Sequence, residues 1–255
     1  MAAKPAGEKL SRVTIETGAR TARIALRNPP LNVIDLAMMD ELAHTLAALE
    51  ACRDISVIVI SGEGPAFSAG VDVAVHTPDK VEAMLSKFHS VIRSVMASRK
   101  VMMAKVHGPC FGGGAELAMV CDLVYTSSTA QWSFPEIKLG CFPPVACAAL
   151  AGLIGQKRAA ELILSGRNIN GDEAAAIGLA SRATPDGELT SIVEECVNRV
   201  SSLSPAALAL TKKAFYAWDA MHFDKGLARA EKIYIEELAG AADAQEGIQA
   251  FIEKR

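Results

Sequence analysis

Apolar and polar residues alternate over Val13–Glu16 and Ala22–Leu26, with Gly18 between them, which predicts a β-hairpin. Pro29-Pro30 ends that pattern. Beyond Asp35 the period changes: Met38, Met39, Leu42, Leu46 and Leu49 recur at helical spacing and predict a helix to about Cys52. Val57–Ser61, closed by Gly62 and Gly64, reads as a buried strand. Pro78-Asp79 opens a second helix, with Val81, Met84, Leu85, Phe88, Ile92 and Val95 on one face. Val101–Val106 is the next strand. It leads through Gly108 to the triple glycine Gly112-Gly113-Gly114, then to a helix and the strand Leu123–Tyr125.

After Trp132–Pro135 the pattern turns mostly helical, with candidates at Gly155–Leu164, Gly171–Leu179 and Leu189–Leu203. Strand and helix signals that alternate in this way predict an α/β fold with a parallel sheet. From Pro205 three helices follow without a strand: Pro205–Ala220, Phe223–Ala239 and Asp243–Lys254. Their apolar positions (Leu208, Phe215, Trp218; Leu227, Ile233, Tyr234, Leu238; Ile248, Phe251, Ile252) exceed what three short helices bury among themselves. They should pack on the α/β part or on another subunit.

Composition narrows the partners. The chain has 255 residues, 51% hydrophobic and 22% charged, which is enough to build a sizeable core. Its longest apolar runs are too short to span a bilayer, and Met1–Lys9 reads as a frayed tail, not an export signal. A net charge of −3, with acids and bases interleaved, offers no footprint for a nucleic-acid backbone. The six cysteines lack C-x-x-C spacing and sit mostly among apolar neighbours, so neither a metal site nor disulfides are expected, and the compartment reads as cytoplasmic.

The glycine-rich segment lacks the Lys-Ser/Thr of a P-loop and the spacing of a dinucleotide fingerprint. What Gly112–Gly114 supplies is bare backbone at a helix start, where unpaired N–H groups meet developing negative charge. Phe67-Ser68-Ala69-Gly70-Val71-Asp72 offers a second such turn after a buried strand. Two amides converging on one oxygen would form an oxyanion hole; two ordinary tight turns are the alternative. Glu116 and Glu136 each stand in apolar surroundings, where a carboxylate is costly unless bonded or working. Each alone reads more simply as an exposed or capping acid, but paired carboxylates are what general acid–base chemistry needs.

Taken together, Gly112-Gly113-Gly114-Ala115-Glu116-Leu117-Ala118, Cys121-Asp122 and Pro135-Glu136-Ile137-Lys138-Leu139-Gly140 resemble the signature of the crotonase (enoyl-CoA hydratase/isomerase) superfamily. Phe67–Asp72, Ala159–Gly166, Ala174–Leu179 and the closing Phe251–Arg255 extend the resemblance over nearly the whole chain. It implies a crotonase-type spiral of β-β-α units over residues 1–200, holding a CoA-ester site. Residues 201–255 would form a helical trimerisation region, assembled as a homotrimer or a dimer of trimers. Val71 and Gly113 match the amides that polarise the thioester carbonyl, and Glu116 and Glu136 match the two acids of the hydratases. Ala69 falls where backbone meets the adenine end of coenzyme A. Phe251 and Lys254 match C-terminal residues that reach the nucleotide, often from a neighbouring subunit. Coenzyme A would be part of the substrate, with no separate cofactor and no metal.

Two departures from the family pattern stand out. Asp72-Val73-Ala74-Val75 lacks the basic residue common after the oxyanion turn. Cys141-Phe142-Pro143-Pro144-Val145-Ala146 replaces a glycine-rich acyl loop with a stiffer wall. Those segments, with Val75–Asp79, Tyr234–Leu238 and Asp243–Arg255, resemble the branch that hydrates cyclohexa-1,5-diene-1-carbonyl-CoA in anaerobic benzoyl-CoA degradation. In that branch His76 would lie near the acyl group, although a solvated loop histidine fits as well. A straight-chain hydratase, an isomerase using one acid, and a non-catalytic scaffold or RNA-binding member of the fold are the alternatives.

Overall fold

The computed structural model describes residues 11–216 and 220–254; Met1–Lys9, Trp218 and Arg255 lie outside the described residues. The hairpin forms as expected, with β1 (Val13–Thr17) antiparallel to β2 (Thr21–Leu26). Asp35 caps α1 (Leu36–Ala51) by accepting from the Met38 N–H at 2.8 Å. β3 (Val57–Gly62), α2 (Val81–Ala97) and β4 (Val101–Val106) follow the predicted order. The second helix starts at Val81, so Pro78-Asp79 belongs to the turn before it.

The chain then alternates between two sheets. β4 continues into β5 (Pro109–Phe111) and α3 (Gly113–Met119); β6 (Leu123–Ser127) continues into β7 (Gln131–Ser133). α4 (Pro144–Ile154) and α5 (Gln156–Ser165) meet at Gly155, and β8 (Ile169–Asn170), α6 (Gly171–Ala176), β9 (Arg182–Thr184) and α7 (Leu189–Ser201) complete the core. The large sheet runs β1-β2-β3-β4-β6-β9, parallel from β2 onward, and the small sheet runs β5-β7-β8. The four strands β5, β7, β8 and β9 were not anticipated, because two or three residues cannot display a period. α4 also exceeded the expectation. Its Pro144 occupies the first helical position, where a missing N–H costs nothing.

Three C-terminal helices close the fold: α8 (Pro205–Tyr216), α9 (Ala220–Ile233), which runs into a π turn at Tyr234–Leu238, and α10 (Ala242–Glu253). α9 packs on α4, and α10 packs on the turn Pro135–Leu139, where the Cα of Ala244 would stand 3.0 Å from a Cβ at Gly140. Leu227, Tyr234 and Ile248 are buried in this way against the chain's own core. α8 is different: Leu210 is 67% and Phe215 74% exposed. Among the described residues no helix is long and apolar enough to cross a membrane.

Candidate active site

The site follows from strand pairing. β5 and β7 are parallel neighbours, so the segments leaving their C-terminal ends, Gly112-Gly113 and Phe134-Pro135-Glu136, emerge side by side. The Gly112 N–H donates to the Ser133 carbonyl at 2.9 Å and locks them together. A bridge between Ser68 and Cys110 sets the turn after β3 on the other side of β5. Three stretches far apart in sequence thus share one sheet edge.

Within the turn 67–72 nearly every amide is engaged. Phe67 donates to His107 O, Ser68 to Pro109 O, Ala69 to Leu31 O, Gly70 to Ser68 Oγ and Asp72 to Ile34 O, at 2.9 to 3.1 Å. Val71 is the exception: its N–H has no acceptor among the described residues. The N–H of Gly113, at the first position of α3, is likewise without one. The two amides are close, since a Cβ built on Gly113 would stand 3.4 Å from Val71 N and collide with Val71 Cγ2 at 2.6 Å. Glycine at 113 is therefore what keeps the space before both amides open. The pair can hold one carbonyl oxygen and stabilise charge developing on it.

Both acids face the same cleft. Glu116 is 3% exposed, and its Oε1 accepts the Ala146 N–H at 2.9 Å, at the start of α4. Burial pushes its carboxyl up to about 7, opposed by the Ala146 and Val145 N–H groups. Glu136 lies in the turn that opens at Pro135. Burial and then repulsion from Glu116 push it up to about 8, and its Oε2 is buried without a hydrogen-bond partner among the described residues. Two buried acids that repel one another share a single charge near neutral pH. The amide hydrogen bonds to Glu116 favour the charge there over Glu136, which receives none from a neighbouring segment. A neighbouring base and acid of this kind can move protons in both directions.

The cleft and its mouth together span about 660 Å³, open solvent included. Val71, Gly113, Glu116 and Glu136 all line it, as do Ala69 and His76. His76 is oriented by its Nδ1, which donates to the Asp72 carbonyl at 2.9 Å, and burial lowers its pKa. The replacement segment forms a wall of Cys141, Phe142, Pro143 and Pro144, with the Phe142 ring edge-on to Tyr234 at 5.1 Å. Phe251 and Lys254 stand outside this cleft, exposed at the end of α10. The sequence pattern does not mark Met84, Leu85, Phe88 and His89 of α2, or Tyr234 and Ile248 of the C-terminal segments, as lining. The signal for His89 was present: it falls four residues after Leu85 and three before Ile92, on an otherwise apolar stripe.

Two amides without acceptors and two buried acids line one cleft, an arrangement able to carry out acid–base chemistry beside a held carbonyl oxygen. The chain belongs to the Enoyl-CoA hydratase/isomerase family, whose sequence profile matches residues 16–255. It is 32% identical over 244 residues to a cyclohexa-1,5-dienecarbonyl-CoA hydratase of Thauera aromatica, covering 96% of this chain and 94% of that one. A probable enoyl-CoA hydratase of Rhizobium meliloti is 34% identical over 244 residues, covering 94% and 95%. Among solved structures, an enoyl-CoA hydratase/isomerase of Xanthobacter autotrophicus Py2 superposes with a TM-score of 0.89 at 27% identity, covering 96% of this chain and 94% of that one. The fold is the crotonase α/β fold, with two sheets and C-terminal helices.

Proposed function

We propose that the protein hydrates an unsaturated acyl-CoA thioester, and that its preferred acyl group is a cyclic conjugated diene of the cyclohexa-1,5-diene-1-carbonyl type. The observation that carries hydration is the meeting of two free amides and two buried, mutually repelling carboxyl groups in a single cleft. The thioester oxygen accepts hydrogen bonds from the Val71 and Gly113 N–H groups. Glu116 takes a proton from water while the water oxygen bonds to the carbon β to the carbonyl. The π electrons move onto the carbonyl oxygen as an enolate held by the two amides. Glu136 then gives its proton to the carbon skeleton as the enolate collapses. Glu116 ends protonated and Glu136 charged, and transfer of one proton between them restores the start.

The cyclic preference rests on the wall. Two prolines and the Phe142–Tyr234 ring pair make a short, stiff boundary that suits a compact ring better than a flexible chain. The Thauera aromatica relative agrees with it, but the Rhizobium meliloti relative is as similar, so the preference is argued from the wall. Turnover of linear enoyl-CoA and cyclic dienoyl-CoA thioesters in ¹⁸O-water tests the reading. Solvent oxygen should enter the product; a shifted double bond without new oxygen would mean isomerisation.

The same proposal includes assembly as a trimer or a pair of trimers in the cytoplasm. Support comes from α8, where Leu210 and Phe215 expose large apolar side chains, and from Phe251 at 55% exposure. In a trimer Phe251 and Lys254 would reach a nucleotide bound by a neighbouring subunit, and Ala69 would meet the adenine end in its own. Removing the whole region is a poor test, because Tyr234 and Ile248 line the cleft. The double variant Leu210→Ser with Phe215→Ser should instead give a smaller species by light scattering, with its melting temperature little changed. An unaltered mass would contradict the assignment of this face to assembly.

A further inference from the structure

The mechanism leaves part of the cleft's polar lining unused. His89 is fully buried on the inner face of α2, and its ring forms part of the cleft wall beside Met84, Leu85 and Phe88. Its Nδ1 lies 2.6 Å from Glu231 Oε1, the same oxygen that receives Arg93 Nη2 at 3.0 Å. A carboxylate in that position can only accept, so Nδ1 carries the hydrogen and Nε2 presents a lone pair. That Nε2 is buried and has no hydrogen-bond partner among the described residues. Burial lowers the ring's pKa against the pull of Glu231, which keeps the imidazole neutral and the lone pair available.

An orphaned buried acceptor is destabilising, because it has lost water without gaining a partner. A leucine or phenylalanine would fill the same position on the apolar stripe without that cost. Packing therefore does not explain the histidine, nor the carboxylate and guanidinium that hold it from the far side. Glu231, near the end of α9, and Tyr234, which opens the π turn after it, are three residues apart, and the buried Tyr234 hydroxyl lies in the same cleft beside the Cys141 thiol. One helix end thus orients His89 and supplies a neighbouring polar group.

We infer that His89 is a specificity-determining residue whose Nε2 accepts a hydrogen bond from an O–H group on the acyl portion of the bound thioester. The inference rests on the acyl-CoA reading of the cleft, and not on the direction or detail of hydration. Two sources of the O–H share this chemistry. One is the hydroxyl that hydration itself places on the β carbon, so that the acceptor favours product. The other is a hydroxyl already carried elsewhere on the ring, which would make the substrate a hydroxylated cyclic acyl-CoA.

Binding of three saturated thioesters distinguishes them: cyclohexanecarbonyl-CoA, its 2-hydroxy derivative (hydroxyl on the β carbon) and its 4-hydroxy derivative. Titration calorimetry on the full-length protein carrying Glu136→Gln keeps the β-hydroxy ester from turning over. At least one hydroxylated ester should bind about 2–10-fold tighter than the parent, the range of one net hydrogen bond. A preference for the 2-hydroxy ester identifies the product hydroxyl; a preference for the 4-hydroxy ester identifies a ring substituent. His89→Phe, or His89→Leu if the larger ring does not fold, should abolish the preference without weakening the parent ester. His89→Gln, which keeps an acceptor, should restore part of it. Equal binding of all three esters, or a preference that survives loss of His89, overturns the inference while leaving the hydratase reading intact. Failure to bind any of the three contradicts the acyl-CoA reading, and this inference with it.

Discussion

Glu136→Gln should lower turnover by about 10²–10⁴-fold, the usual contribution of a positioned proton donor, while CoA-ester affinity changes little. The same substitution should make the protein more stable at alkaline pH. Glu136 is held at about 8 in the folded protein, above its ordinary value of 4.5. Between those two values the folded state binds more protons than the unfolded state, so stability falls as pH rises, and the full cost is present above the folded pKa. Glutamine carries no charge and is spared that cost. The gap in melting temperature between variant and wild type should therefore widen from about pH 4.5 to 8 and stay level beyond, corresponding to a few kcal/mol, roughly. Glu116→Gln should behave alike over a narrower window, closing at about 7. Turnover assays with thermal melts at pH 5 and pH 9 check both parts. Near-normal turnover would remove the residue from the mechanism, and an equal gap at both pH values would mean that the acids are not strained by burial.

Gly112→Ala should be nearly as damaging to turnover, by a different route. Gly112 adopts φ 49° and ψ −126°, a conformation glycine reaches freely and alanine does not. A Cβ there would stand 2.6 Å from Glu136 Oε1, inside any acceptable contact. The carboxyl must swing away, and the Gly112–Ser133 hydrogen bond that joins the two site segments is strained with it. Displacing a reacting group by about 1 Å costs on the order of 10²-fold in rate. Gly64→Ala separates the two effects, because Gly64 also has a positive φ of 73° but nothing within 4 Å of its Cβ position. That variant should lose roughly 1 kcal/mol of stability and keep its turnover. Full activity in Gly112→Ala would show that Glu136 does not depend on the geometry at this turn.

Much of this architecture was legible because its signals are local. Asp35 ahead of a helical period, the apolar runs at Val57 and Val101, and the glycines before Glu116 each announce an element within a few residues. The two acids and two amides were legible as a set only through the family motif; spacing alone left ordinary turns open. What escaped depends on contacts across the chain. β5 and β7 are three residues each and exist because they pair, yet that pairing is what brings Gly113 beside Glu136. His89 could be seen as out of place on its stripe, but its meaning lies with Glu231, 142 residues away. Tyr234 and Ile248 read as apolar faces to be covered by the α/β part or by another subunit; the α/β part covers them, and they are also walls of the cleft. The apolar pattern of a helix states that a face is covered; it does not say by what.

The central claim is that the stiff wall from Cys141 to Pro144 selects a ring, and that water and proton enter at separated carbons. On that proposal, attack at the ring carbon β to the carbonyl would give an extended dienolate, whose far end would receive the proton from Glu136. The direct measurement compares kcat/KM for crotonyl-CoA and cyclohexa-1,5-diene-1-carbonyl-CoA in D₂O, with the deuterium located by NMR. The account predicts a clear preference for the cyclic diene, with deuterium at the γ carbon of the hydroxylated ring. A preference for crotonyl-CoA, or deuterium at the α carbon of the ring product, would contradict it.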